Sequence, residues 1–237
     1  MSSVYKPTSE ADMLAGFPES IGMIVGRPTS KSLFRALRHL MECSQSHKVE
    51  GNNGLNLLHI AVTGAMCVYF MRNPAGNVPA LTPDPGQAPQ YAQGMDDAQR
   101  ANVKLLWECA KMKRKEERNM NGALIKRLLQ IIPTDYKTDF KVELAEVPNM
   151  TFQNAFLWFH NRYGMADEND RDDNRKAMDF EWTIDDNFPA LSRRLDECLL
   201  YSAYLDMPYS NDEMVDAALR IILRTGQLTQ EYQDWKE

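Results

Sequence analysis

A chain of 237 residues is long enough for one large domain or two small ones, and its 43% hydrophobic and 25% charged residues are the balance of a folded globular protein. A net charge of −6 argues against a surface that binds nucleic acid all over, so any such contact is expected through a local patch or through a segment outside this chain. Four dispersed cysteines (Cys43, Cys67, Cys109 and Cys198) form no C-x-x-C pair, lie at no metal-ligand spacing from a histidine, and are expected to be buried free thiols of a reducing compartment.

In chain order, Met1 to Ala15 lacks a basic region followed by an apolar run, so no signal peptide is expected and the location expected is intracellular and cytoplasmic. Residues 1–28 carry Pro7, Gly16, Pro18, Gly22, Gly26 and Pro28, and read as an arm in which any helix is short. Such an arm either reaches a neighbouring subunit or hangs free. The first clear helix follows, capped by Thr29 or Ser30, with Leu33, Ala36, Leu37, Leu40 and Met41 on one apolar stripe. Arg35, Arg38 and His39 lie off it and read as a solvated face, with an RNA or subunit contact as the alternative.

Leu55 to Phe70 is apolar and partly β-branched, equally compatible with helix and strand, and the apolar stretch Leu55 to Met71 falls short of a membrane span and reads as buried core. Five prolines between Arg72 and Gly94 exclude regular structure there, and loops of this length are usually functional or disordered. A long helix is expected from Asp96 to Ile132, with Val103, Leu106, Trp107 and Ala110 as a first stripe and Met120, Leu124, Leu128 and Ile131 as a second. Between them lies the most basic run of the chain, with Lys111, Lys113, Arg114 and Lys115, broken by Glu116 and Glu117. It reads as a solvated helix face that could contact phosphates if neighbours converge on it. Pro133 ends the helix.

Asp135 to Leu144 reads as a short helix closed by Pro148, and Thr151 caps another, with Phe152, Ala155, Phe156, Phe159 and Tyr163 on one face and Gly164 at its end. The acidic run Asp167 to Asp173 lacks the pattern of a calcium loop and suits a solvated helix start. A helix from near Asp186 tolerates Pro189 in its first turn and carries Leu191, Leu195, Cys198, Leu199 and Ala203. The next opens with the capping box Ser210-Asn-Asp-Glu213 and carries Met214, Ala217, Ala218, Ile221 and Ile222. Thr229 to Trp235 reads as a last short helix. No nucleotide-binding, hydrolase or zinc motif occurs, and no zinc knuckle. No catalytic residue, metal site, cofactor or small-molecule substrate is therefore expected.

Several marks between Asn121 and Glu237 then appear in a characteristic order. The helix Ala123 to Ile131 runs into Ile132-Pro133-Thr-Asp-Tyr136; Met150-Thr151 opens a helix closing on Tyr163-Gly164; Asn174-Arg175 precedes Trp182-Thr-Ile-Asp-Asp186; Leu191-Ser-Arg-Arg-Leu-Asp-Glu-Cys198 follows, then Ala217 to Gly226 and Trp235. In this order, and with the proline-rich stretch Asn73 to Pro89 before the long helix, the chain resembles the Gag-like capsid protein of copia-type LTR retrotransposons of algae and protists, over roughly Gly54 to Glu237.

The resemblance implies an all-α, two-lobed capsid subunit that assembles with copies of itself around RNA, within virus-like particles or virions, and is not an enzyme. The lobes expected are 29–133, with the proline-rich excursion 72–94, and 134–237, the latter with Phe156, Phe159, Trp182, Leu195, Leu199 and Ile221 in its core. The RNA-binding candidates are Arg35, Arg38, Lys111, Lys113, Arg114 and Lys115. The absence of a basic tail and a zinc knuckle weighs for self-assembly over RNA binding. The rival readings are the RNA-binding coat of a filamentous virus, a domesticated Gag acting as an adaptor, and an enzyme of unrecognised type.

Overall fold

A computed structural model describes residues 6–18, 22–47, 57–61, 81–147, 149–183 and 185–226. Among these the fold is all-α, with nine α-helices and no strand. They are α1 (Glu10–Ala15), α2 (Ser30–Ser46), α3 (Leu58–Ala61), α4 (Asp97–Ile131), α5 (Thr138–Glu146), α6 (Phe152–Tyr163), α7 (Glu168–Ala177), α8 (Phe188–Tyr204) and α9 (Asn211–Arg224), with a 3-10 turn at Thr134–Tyr136 before α5.

Local chemistry sets most of the boundaries. Thr29, Asp96, Asp167 and Ser210 each close a capping box at the start of α2, α4, α7 and α9, satisfying backbone N–H groups that a first helical turn leaves unbonded. Thr151 accepts from Asn154 N–H at the start of α6, and Asn187 from Ala190 N–H at the start of α8. Pro189 falls in the first turn of α8. Gly164 follows α6 with φ −109°, so no left-handed cap requires it. What requires it is space: an added Cβ would sit 2.8 Å from Leu33 Cδ1 and 3.1 Å from the His160 main chain.

The buried residues form two clusters. The larger gathers α1, α2, α3, the C-terminal half of α4, α5 and α6, together with Tyr201, Tyr204 and Leu205 at the end of α8. The smaller holds Met178, Phe180, Leu191, Leu195, Cys198, Tyr209, Ala217 and Ile221. Leu195 and Ile221 lie in it, with Trp182 and Leu199 packed against it, whereas Phe156 and Phe159 lie in the larger cluster, against α2 and α4. An apolar stripe shows that a face is buried, not which neighbour buries it.

Several expectations are corrected or refined. The N-terminal arm is not loose where it is described: α1 packs along α4 of its own chain, burying Met13, and Gly122 lies directly beneath Glu10. Asn119 Nδ2 donates to Thr8 O at 2.6 Å from the same face. His39 is buried beside Cys43, not solvated, with its Nε2 3.5 Å from Cys43 Sγ. Cys43 and Cys198 are buried, Cys109 is exposed, and Cys67 lies outside the described residues. The segment 55–70 is described only at 57–61, of which 58–61 is helical. Residues 81–96 carry no helix, while 72–80, Pro148 and the expected helix Thr229 to Trp235 lie outside the described residues.

The second stripe of α4 is buried as expected, but the first is not. Every buried residue of α4 lies at or beyond Glu116. Leu106 is 62% exposed, its neighbour Leu105 is 54% exposed, and Val103, Trp107 and Ala110 are only partly covered. At 1.5 Å per residue, roughly 28 Å of helix before Glu116 carries no buried residue.

Candidate nucleic-acid interface and a buried carboxylate pair

The expected RNA-binding residues fall on two separate faces. On the first, Lys111, Arg114 and Lys115 of α4 line a cleft of about 500 Å³ together with Arg118, Asn119, Glu10, Asp84, Pro85 and Gly86. Lys113 does not line it. The cations here are partly engaged: Arg114 pairs with Asp84 at 3.1 Å and reaches Thr82 O at 3.5 Å, and Lys111 Nζ lies 4.8 Å over the Trp107 ring. The segment from Thr82 to Gly86 thus runs along α4, with Trp107 Nε1 donating to Gly86 O at 3.3 Å.

The second face lies where α2, α7 and α8 meet, at the boundary of the two buried clusters. Lys31, Arg35 and Arg194 line a cleft of about 180 Å³ whose floor is Phe34, Asn174, Cys198 and Tyr201. An adjoining cleft of about 450 Å³ shares Lys31 and Arg35 and adds Arg27. Arg38 lines neither, because it pairs across to Glu197 of α8 at 3.6 Å. Lys31, Arg27 and Arg194 are the cations that sequence reading missed. Arg194 lies far from Lys31 in sequence and comes to it only through the packing of α8 on α2. Both lie close enough to Cys198 to lower its thiol, although burial dominates and holds it at about 11. The floor is closed by a hydrogen-bonded chain in which Tyr201 OH donates to Asp170 Oδ1 at 2.9 Å and lies 3.0 Å from Ser30 Oγ.

Glu116 and Glu117 break the basic run because they turn inward. Both are buried. Glu117 accepts from Thr82 N–H at 2.8 Å and Thr82 Oγ1 at 2.7 Å, and lies 3.6 Å from His59 Nε2 of α3. Burial works to raise its carboxyl, but the His59 and Thr82 contacts outweigh it, so Glu117 is held below its ordinary value and stays charged. Glu116 meets His47, the residue after α2, at 3.0 Å. Nothing in the local sequence marks these acids as buried, because their partners lie far along the chain.

Among the described residues no group of three or more His, Cys, Asp or Glu side chains could hold a metal ion, and no helix is long and apolar enough to cross a membrane. Comparison with models of known protein families, with characterised proteins and with solved structures finds no match to this chain.

Proposed function

We propose that the chain is a Gag-like coat protein that assembles with copies of itself into a shell or filament and takes RNA as its cargo. The observation that carries the reading is the projecting half of α4, where Leu105 and Leu106 stand more than half exposed on a helix that leaves the core. Uncovered apolar side chains on a protruding element are what a subunit contact uses. A two-lobed subunit is part of the same reading, with the two buried clusters as the lobes. Negative-stain electron microscopy of the purified chain, with and without nuclease, tests it. Regular particles or filaments are expected, and Leu106→Asp should abolish them while leaving the thermal midpoint within a degree or two of the unsubstituted protein, because an exposed side chain contributes little to folding. A monodisperse monomer under all conditions would sink the assembly reading.

A second reading, an RNA-binding nucleoprotein, is favoured by Arg27, Lys31 and Arg35, which gather in adjoining clefts of a chain that is acidic overall and outnumber the one carboxylate there, Glu197. Lys31→Glu with Arg35→Glu should then weaken binding of a fluorescent oligouridine and flatten its salt dependence by a slope of about 1.4, since single strands release roughly 0.7 counterions per cation. Lys111→Glu with Lys115→Glu is the comparison for the α4 face, and a larger loss from that pair would move the RNA to α4.

A further inference from the structure

Glu116 lies in the most charged stretch of the chain, yet its side chain is 1% exposed. Its Oε1 stands 3.0 Å from His47 Nε2, and its Oε2 has no hydrogen-bond partner. Interior polar atoms almost always find partners, and a bare charged oxygen is far costlier to bury than a bare carbonyl oxygen. That asymmetry decides between the two forms of the pair. As a carboxylate facing an imidazolium, Glu116 would leave a charged oxygen unmatched. As a carboxylic acid donating from Oε1 to Nε2, it leaves only a neutral carbonyl oxygen.

Burial acts in the same sense on both partners. It pushes Glu116 up to about 7, against a smaller opposing effect of the Thr8 main-chain N–H, and it lowers His47 from 6.5. Three neighbouring ionisable groups on the elements packed around the pair have partners of their own. Glu117 of α4 faces Thr82 and His59 of α3, and Glu10 of α1 pairs with Lys126 at 2.6 Å. His39 of α2 lies against Cys43.

We propose that Glu116 and His47 form a buried neutral acid–imidazole latch that fastens the C-terminal end of α2 to α4, and that the shared proton passes from Glu116 to His47 when this end of α2 opens. The transfer balances without a co-reactant: the O–H bond on Oε1 breaks, an N–H bond on Nε2 forms, and the products are a solvated carboxylate and a solvated imidazolium. The latch does not rest on the coat-protein reading.

A definite pH signature follows. Between the ordinary glutamate value of 4.5 and the ordinary histidine value of 6.5, the closed and open states hold the same number of protons. Opening is therefore insensitive to pH in that window. Each partner alone behaves oppositely. Glu116 without His47 has a raised folded value, so its stability is full below about 4.5 and is lost as pH rises towards about 7. His47 without Glu116 has a lowered folded value, so its stability is full above 6.5 and is lost as pH falls.

Hydrogen–deuterium exchange of peptides covering 40–47, corrected for intrinsic exchange, tests this on the whole chain at steps across that window. The unsubstituted protein should open at a rate that is constant to within about twofold. His47→Gln should open roughly tenfold more per unit rise in pH, and Glu116→Gln more as pH falls, each proton of imbalance giving a factor of about ten per unit. A tenfold-per-unit dependence in the unsubstituted protein, or the same sign in both variants, would overturn the latch. A second measurement needs no stable variant. Infrared spectroscopy of the unsubstituted protein at ~pH 6, well above the ordinary glutamate range, should retain the C=O band of one protonated carboxyl, and its absence there would also overturn the proposal.

Discussion

Glu116 and Glu117 are sequence neighbours with the same side chain, and their surroundings send them in opposite directions. Glu117 has donors for both oxygens and stays charged, while Glu116 has His47 on Oε1, a bare Oε2 and only a small opposing effect of the Thr8 N–H. The contrast makes a prediction for Glu117. Because its folded value is depressed, it contributes stability that is present above about 4.5 and is lost as pH falls. Glu117→Gln can keep one of the Thr82 bonds but not the charge, so it should lower stability by about 1–3 kcal/mol in urea unfolding near neutral pH. The gap should narrow as pH falls through the depressed folded value of Glu117, where the unsubstituted protein loses the charge as well. A gap that is constant with pH would mean that shape, not charge, holds Thr82 in place. None of this was legible in the run Lys111 to Arg118. His59, Thr82 and His47 are the residues that decide which acids are buried, and all lie well outside the run.

At the scale of elements the sequence was far more informative, because caps and stripes are local. Thr29, Asp96, Thr151 and Ser210 were all readable as helix starts, since a short polar side chain before a periodic apolar run has few other uses. The stripe of α2 was readable for the same reason, and each of its five residues is buried. What failed was the first stripe of α4, where a helical period persists but nothing described covers it. Periodicity reports what a helix could bury, and an assembly contact would leave the same pattern bare in the single subunit. The Ser210 box offers a local test. Glu213 accepts from Ser210 N–H at 2.8 Å and Ser210 Oγ accepts from Glu213 N–H at 3.2 Å, so Ser210→Ala removes one half of the exchange. A loss of about 1 kcal/mol is expected. Hydrogen exchange should quicken in 211–224 and remain unchanged in 152–163, because the main packing of α9 is on α8. Equal quickening in both would mean that α9 is not a separately opening unit.

At the scale of the whole molecule the question is whether the two buried clusters unfold together. The helix α8 answers it, since it belongs to both. Its first three turns give Leu191, Leu195 and Cys198 to the smaller cluster, and its last turn gives Tyr201 and Tyr204 to the larger one. Tyr201 and Tyr204 pack on Phe34 of α2 with ring centroids 5.0 and 5.4 Å apart from it. Polar ties reinforce the junction, with Ser30, Tyr201 and Asp170 in one chain and Arg38 paired to Glu197. With α8 shared and its last turn seated on α2, calorimetry should show a single transition. Ile221→Ala in the smaller cluster and Phe159→Ala in the larger should both shift that one transition downward, by about 2–5 and about 3–5 kcal/mol respectively. Phe34→Ala should act differently. It removes the ring on which α8 is seated, and with the junction weakened Ile221→Ala should then split off a separate low-temperature transition. If Ile221→Ala alone already produces two transitions, the clusters are independent lobes joined by a helix whose two halves melt apart, and the contacts of Phe34 with α8 do not couple them.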